Sequence, residues 1–247
     1  HLAADRTDPA SMRAALAGSE WDAVFDVSGF IMAAMGSNMA DLVDLLDGRV
    51  GAYVYTSSIM AYAPSGIFPW REGFASVDEG PNTYGGFKKA AESVLLERHA
   101  RSGFPASVVR PAAIYGPDNN IYDMEMAYFL RLLQGLPVIL PHDGLVTTSY
   151  GHVDDLCRAM VDMATHPNAA GEIFNISAEA VTANAYVAIL SDIVGRPADV
   201  VYMPSAFVGK LAKPAYNHLF GSFHHGILSI RKARDLLGFE PAYDFRA

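Results

Sequence analysis

A chain of 247 residues with a formal net charge of −9 repels phosphate backbones, which excludes a charge-driven nucleic-acid binder and leaves no nucleic acid expected as a partner. Apolar residues make up 51% and the mean hydropathy is +0.15, enough to bury the core of one large α/β domain, or a domain plus a smaller lobe, and too much for a disordered chain. No window approaches the roughly 18 apolar residues of a membrane span, and a single cysteine, Cys157, forbids an internal disulfide and suits a reducing, cytoplasmic setting.

The chain opens at HLAADRTDP with neither methionine nor a charged-then-apolar leader. It starts in what reads as a strand, as though an upstream segment had been removed. Asp8-Pro9 is a helix start, Asp8 as N-cap and Pro9 in the first turn, and Gly18 closes that helix. A buried strand is expected over 23–27 (AVFDV), a helix over 39–46 and a strand over 50–56 (VGAYVYT). A long helix follows over 83–101, then a strand over 106–110 that Pro111 stops. This βαβα order with short connections calls for a parallel sheet covered by helices on both faces. From about Gly116 the pattern loosens into short strands (138–140, 172–176, 200–203) and two helices (153–165, 183–194). The division expected is 1–116 as a sheet domain and 117–247 as mainly a smaller lobe, with segments returning to the sheet, closing over the strands' C-terminal edge where ligands bind in such folds.

Tyr84 and Lys88 form Y-x-x-x-K at the start of the long helix, so both side chains lie on one face a turn apart. A tyrosine of ordinary pKa, about 10, is a poor acid–base group at neutral pH, and a neighbouring ammonium favours its phenolate. Ser57 and Ser58 stand where VGAYVYT ends, a position from which a hydroxyl can bind a substrate oxygen. Downstream, ASVVR runs into RPAAIYGP.

Together with the late GHVDDLCRAM and SIRKARDLLGFEP, these segments resemble the extended short-chain dehydrogenases, the NAD-dependent epimerase/dehydratase family, over essentially the whole chain. The resemblance implies a Rossmann-type doubly wound α/β fold, NAD or NADP as cofactor, and a small-molecule substrate. It makes Tyr84 the general acid/base, Lys88 the residue that lowers its pKa and holds the nicotinamide ribose, and Ser58 the residue that orients the reacting oxygen. The implied cofactor-binding set is Asp5, Arg6, Ser28, Gly29, Thr56, Ser57, Tyr84, Lys88, Pro111 and Ile114. Asp5 matches the acidic residue at adenine, Ser28-Gly29 a turn of close approach, and Pro111 and Ile114 the backbone at the carboxamide. The family's first βαβ unit, with the glycine-rich turn that takes the pyrophosphate, lies before the chain begins. Dimerisation through the Tyr84 helix and the helix before it is also implied.

The departures concern substrate. An Asp-Glu pair follows the strand-tip hydroxyl in sugar-nucleotide 4,6-dehydratases; here Ile59 and Met60 stand there, which disfavours dehydration. An arginine four residues before the His of HVDD is Thr148, and the asparagine of RPxNxYGP is Ala113, which weaken a UDP-sugar assignment. Phe30, Ile31, Met32, Ile59, Met60, Phe68 and Trp70 suit a less charged substrate, or equally plain core packing. Asp154 or Asp155 is expected to cap the helix after His152, with no metal site; His224-His225 reads as loop surface and Cys157 as a small buried hydrophobe. The alternative to catalysis is a binding protein that has kept the fold. The stretch TSYGHVDDL is similar to chloroplast stem-loop-binding proteins, relatives that act on RNA, although the acidic charge opposes that reading.

Overall fold

The structure, a computed structural model, describes residues 1–27, 37–78, 83–119, 125–208 and 225–247. Four parallel strands form the main sheet: β1 (Trp21–Asp26), β2 (Val50–Thr56), β3 (Ala106–Pro111) and, far along the chain, β7 (Ile173–Ile176), in the order β1-β2-β3-β7. Side chains of β2 alternate between faces. Tyr53 and Tyr55 pack with helices α2 (Ser37–Leu46) and α3 (Tyr84–Ser102) in a core that includes Leu42, Val43, Ala91 and Leu95. Val54 points to the other face, with α5 (Val153–Thr165) and α8 (Arg231–Leu237), in a core that includes Val109, Met160, Met163, Phe174 and Ala233. Helices on both faces of a parallel sheet are the expected doubly wound arrangement.

Local chemistry explains the element ends. Helix α1 (Pro9–Leu16) is capped by the Asp8 carboxylate, which accepts from Ala10 N–H at 2.9 Å. Thr83 caps α3 by accepting from Gly86 N–H at 2.9 Å, and Gly103 ends it at φ 76°, the left-handed region glycine enters at low cost.

Two expectations need correcting. Residues 1–5 form no strand: their backbone joins no ladder, and Asp5 instead accepts from Thr7 N–H and Oγ1 in a turn that leads into α1. Pro111 does not stop its strand either, since it pairs with Ile176. Val108 and Ala112 donate towards β7, so by alternation the donor that proline lacks would face β2, which ends at Thr56.

A second group of short elements follows β3. Strands β4 (Ala113–Tyr115), β6 (Thr147–His152) and β8 (Ala180–Thr182) form one small sheet, and β5 (Val138–Pro141) with β9 (Val200–Met203) another. They pack with α4 (Glu125–Gln134) and α6 (Ala183–Val194) around Tyr128, Tyr150, Tyr186 and Phe245; a single-turn α7 (Ser205–Val208) follows β9. The last residues are tied down by side chains: Asp155, buried on α5, accepts from Ala242 and Tyr243 N–H, and Glu179 accepts from Phe245 N–H.

Candidate active site

The tip of β2 and the first turns of α3 meet at backbone contact. A Cβ placed on Gly85 would stand 2.0 Å from the Met60 carbonyl oxygen, so only glycine lets the helix start this close beneath the tip. Beyond β2 the chain leaves Ser58 extended, and its Oγ accepts from Met60 N–H at 3.1 Å to cap the 3-10 turn Ile59–Ala61. The Ser58 hydroxyl is also hydrogen-bonded to the Tyr84 phenol. Burial pushes that phenol up from its ordinary value, and the Ser58 hydrogen bond draws it partly back.

Lys88 lies one turn along α3 and is 1% exposed. Its Nζ donates to the Thr56 carbonyl at 2.5 Å and sits 5.1 Å from the Tyr55 ring centroid and 5.6 Å from that of Tyr84. Burial pushes the ammonium down to about 8, while Asp26 and Glu92 pull it back up. The Lys88 ammonium donates to Thr56 while lying over the Tyr84 ring, and the group that draws the phenol down is Ser58.

Behind the tip lies a polar network that sequence reasoning missed. The Ser57 hydroxyl donates to Glu92 Oε1 at 2.5 Å, and Arg110 grips the same carboxylate through Nε at 2.8 Å and a terminal nitrogen at 2.5 Å. Glu92 and Arg110 are 0% and 1% exposed. The guanidinium lies 4.4 Å from the Tyr62 ring centroid, and Tyr62 donates to Asn175 Oδ1 at 2.8 Å. One signal was available: Glu92 continues the 84, 88 series at helical spacing, and a charged residue ending the strand ASVVR, between Val109 and Pro111, needs a buried partner. Asp26 was also missed; at the tip of β1 it accepts from Arg6 at 2.8 Å and from the Tyr53 hydroxyl.

The structure thus brings Thr56, Ser57, Ser58, Tyr84 and Lys88 together. Arg6 lies on Asp26, and the Asp5 carboxylate is spent on its local turn. Pro111 is buried at the end of β3, and Ile114 packs on the α5 side of the sheet. Ser28, Gly29, Phe30, Ile31 and Met32 lie outside the described residues, as does His224. Trp70 is core, stacked near Phe68 and beside Tyr62 and Leu228, whereas Met60 is exposed. His152 itself caps α5, its Nδ1 accepting from Asp154 N–H at 3.2 Å, so neither aspartate is the cap. Cys157 faces solvent instead of the core; Met160, one helical turn on, takes the inward position. His225 is exposed and accepts from Thr147 N–H. Among the described residues no three His, Cys, Asp or Glu cluster as metal ligands, and no helix is long and apolar enough to cross a membrane.

A family model described as "NAD dependent epimerase/dehydratase family" matches residues 2–177. The chain belongs to this family. Among curated epimerase/dehydratase relatives and their kin, it is 31% identical over 99% of its length to the chloroplast stem-loop binding protein of 41 kDa b of Arabidopsis thaliana, spanning 61% of that protein. It is 26% identical over 83% of its length to a UDP-glucuronate 4-epimerase of Thermodesulfobacterium geofontis, spanning 60% of that one. The chain thus covers about three fifths of these relatives' length. In fold it is similar to the dTDP-glucose 4,6-dehydratase of Bacillus anthracis solved in complex with NAD, with a TM-score of 0.78 at 19% identity, covering 98% of this chain and 74% of that one.

Proposed function

We propose that this chain carries the catalytic part of an NAD(P)-dependent oxidoreductase or epimerase acting at a carbinol or carbonyl carbon of a small molecule. The observation that carries the reading is the Ser58–Tyr84 hydrogen bond at the tip of β2, with the buried Lys88 ammonium one turn along the same helix. These residues fit the nicotinamide-ribose end of a dinucleotide. An ammonium brings three donors, more than the single Thr56 carbonyl can take, and buried among the Tyr55 and Tyr84 rings it suits ligand hydroxyls. Lys88 and Tyr84 would hold the ribose, and the backbone from Pro111 to Ile114 the carboxamide.

A bound nicotinamide supplies the hydride acceptor and donor. The chain's own residues manage the proton. Burial keeps the Tyr84 phenol protonated at neutral pH, so it donates to a carbonyl oxygen that is becoming an alkoxide and recovers the proton in the oxidative direction. Ser58 orients that oxygen, and the Lys88 charge favours the phenolate while it lasts. Ile59 and Met60 follow Ser58, so the proposal includes no second acid–base pair and no dehydration.

The test is turnover of UDP- and dTDP-hexoses and simple carbonyl compounds with NAD(H) or NADP(H), in the full-length protein. Tyr84→Phe should lower it by about 10²–10⁴-fold with cofactor binding retained; wild-type turnover in that variant overturns the reading. A second reading, RNA binding on a retained fold, is favoured by the 31% identical stem-loop binding relative. Retention of an RNA hairpin at physiological salt by both wild type and Tyr84→Phe, with no turnover by either, would put it ahead. A homodimer through α2 and α3 belongs to the enzyme proposal, and a monomer at high concentration in sedimentation would remove it.

A further inference from the structure

The residues that perform the proposed chemistry stand on two separate elements: Ser58 on the tip of β2, Tyr84 and Lys88 on α3. Something must fix the helix along its own axis relative to that tip. At 1.5 Å per residue and 3.6 residues per turn, Tyr84, Lys88 and Glu92 stack on one face over about 12 Å. Lys88 reaches across to the Thr56 carbonyl at the end of β2, and Glu92 is the member of this stack that takes a side-chain bond there, from Ser57, the residue beside Ser58.

The carboxylate is held from both sides. Arg110 on β3 binds both of its oxygens, and Ser57 donates to Oε1 at 2.5 Å, a length typical of a hydroxyl donating to a charged carboxylate, about twice as strong as a neutral pair. The Ser57 backbone stays in register, its N–H donating to the Val109 carbonyl at 2.8 Å. Ser57 therefore has two fixed anchors, one on the neighbouring strand and one on the helix two turns from Tyr84. The fit leaves little slack, because Gly85 already sits in backbone contact with Met60. The Glu92–Arg110 pair alone would hold α3 to β3; the Ser57 bond, two turns along the helix, joins the Lys88–Thr56 bond in tying it to the strand tip that carries Ser58.

We infer that Ser57 and Glu92 are a positioning pair that sets the Ser58–Tyr84 hydrogen bond, so that Ser57 acts by registering the helix against the strand. This deepens the proposed function and rests on it. Ser57→Ala is the clean variant, since it removes one hydrogen bond and leaves the Glu92–Arg110 ion pair intact. The readout is the ¹³Cζ resonance of Tyr84 in protein labelled at tyrosine, assigned by its loss in Tyr84→Phe, at neutral pH and without ligand. In Ser57→Ala that resonance should move in the same direction as in Ser58→Ala and by at least half as much. A merely structural Ser57 would lower the unfolding temperature and leave the resonance in place, which overturns the inference. It is also overturned if Ser58→Ala itself leaves the resonance unmoved, because Ser57 then has no bond to set. Should the resonance respond as expected while Tyr84→Phe keeps wild-type turnover, the positioning pair stands and the proposed chemistry falls.

Discussion

Two arginine–carboxylate pairs flank Lys88, and they differ in depth. Glu92–Arg110 is sealed between α3 and β3, with side chains 0% and 1% exposed, whereas Asp26–Arg6 sits at the tip of the edge strand, 6% and 15% exposed. Yet of the two carboxylates Asp26 draws the Lys88 ammonium up more than Glu92 does. Depth and influence on the site part company: the inner pair carries the fold, and the outer pair contributes more to the charge of the lysine.

Breaking the inner pair should have the largest effect. Arg110→Met leaves Glu92 buried without its cation, and loss of one partner of such a pair costs about 3–5 kcal/mol. Urea unfolding would measure it, and a loss under about 1 kcal/mol would deny the inner pair its place in the fold. Adding Glu92→Leu to Arg110→Met should recover most of the loss, as apolar replacement of a whole buried pair often does.

The middle effect is on pH dependence. The folded value of Lys88, about 8, lies below its ordinary 10.5. Between those limits the unfolded chain holds a proton the folded chain has released, so this group makes stability rise with pH from about 8 to 10.5, by on the order of 3 kcal/mol in total. Lys88→Met should flatten that rise relative to wild type. Asp26→Asn should start the rise at lower pH, and by more than Glu92→Gln does; the reverse order would cancel the contrast between the two pairs. Smallest is the loss of the outer cation: Arg6→Ala should cost about 1 kcal/mol or less in the same unfolding assay, Tyr53 still donating to Asp26.

How far the sequence shows this can be argued from particular residues. The strands over 50–56 and 106–110 and the long helix are legible because their periodicities and caps are local, as with Thr83 before Tyr84. Strands β4, β6 and β8 escape because AIY, TTSYGH and AVT are short and mix small polar residues with apolar ones; they are strands only because each finds a partner. At the site, Y-x-x-x-K and the strand-tip serines can be read because the chemistry needs those residue types at that spacing. Glu92–Arg110 joins residues 18 apart and Tyr62–Asn175 residues 113 apart, and no local pattern encodes which distant strand will lie alongside. The hydrogen-bond partner of Lys88 is lost for a similar reason: the Thr56 carbonyl that accepts from it is a backbone group with no signature of its own.

The residues after α8 have a consequence for hydrogen exchange. Ala242, Tyr243 and Phe245 belong to no helix or strand, but their amides donate to the carboxylates of Asp155 and Glu179. Exposed coil amides ordinarily trade their protons for deuterium quickly, whereas an amide bonded to a carboxylate must wait for that bond to open. These three should stand as an island of slow exchange in an otherwise irregular stretch. The Ala242 and Tyr243 part of the island should vanish together with the protection of α5, because Asp155 belongs to both, while Phe245 answers to Glu179.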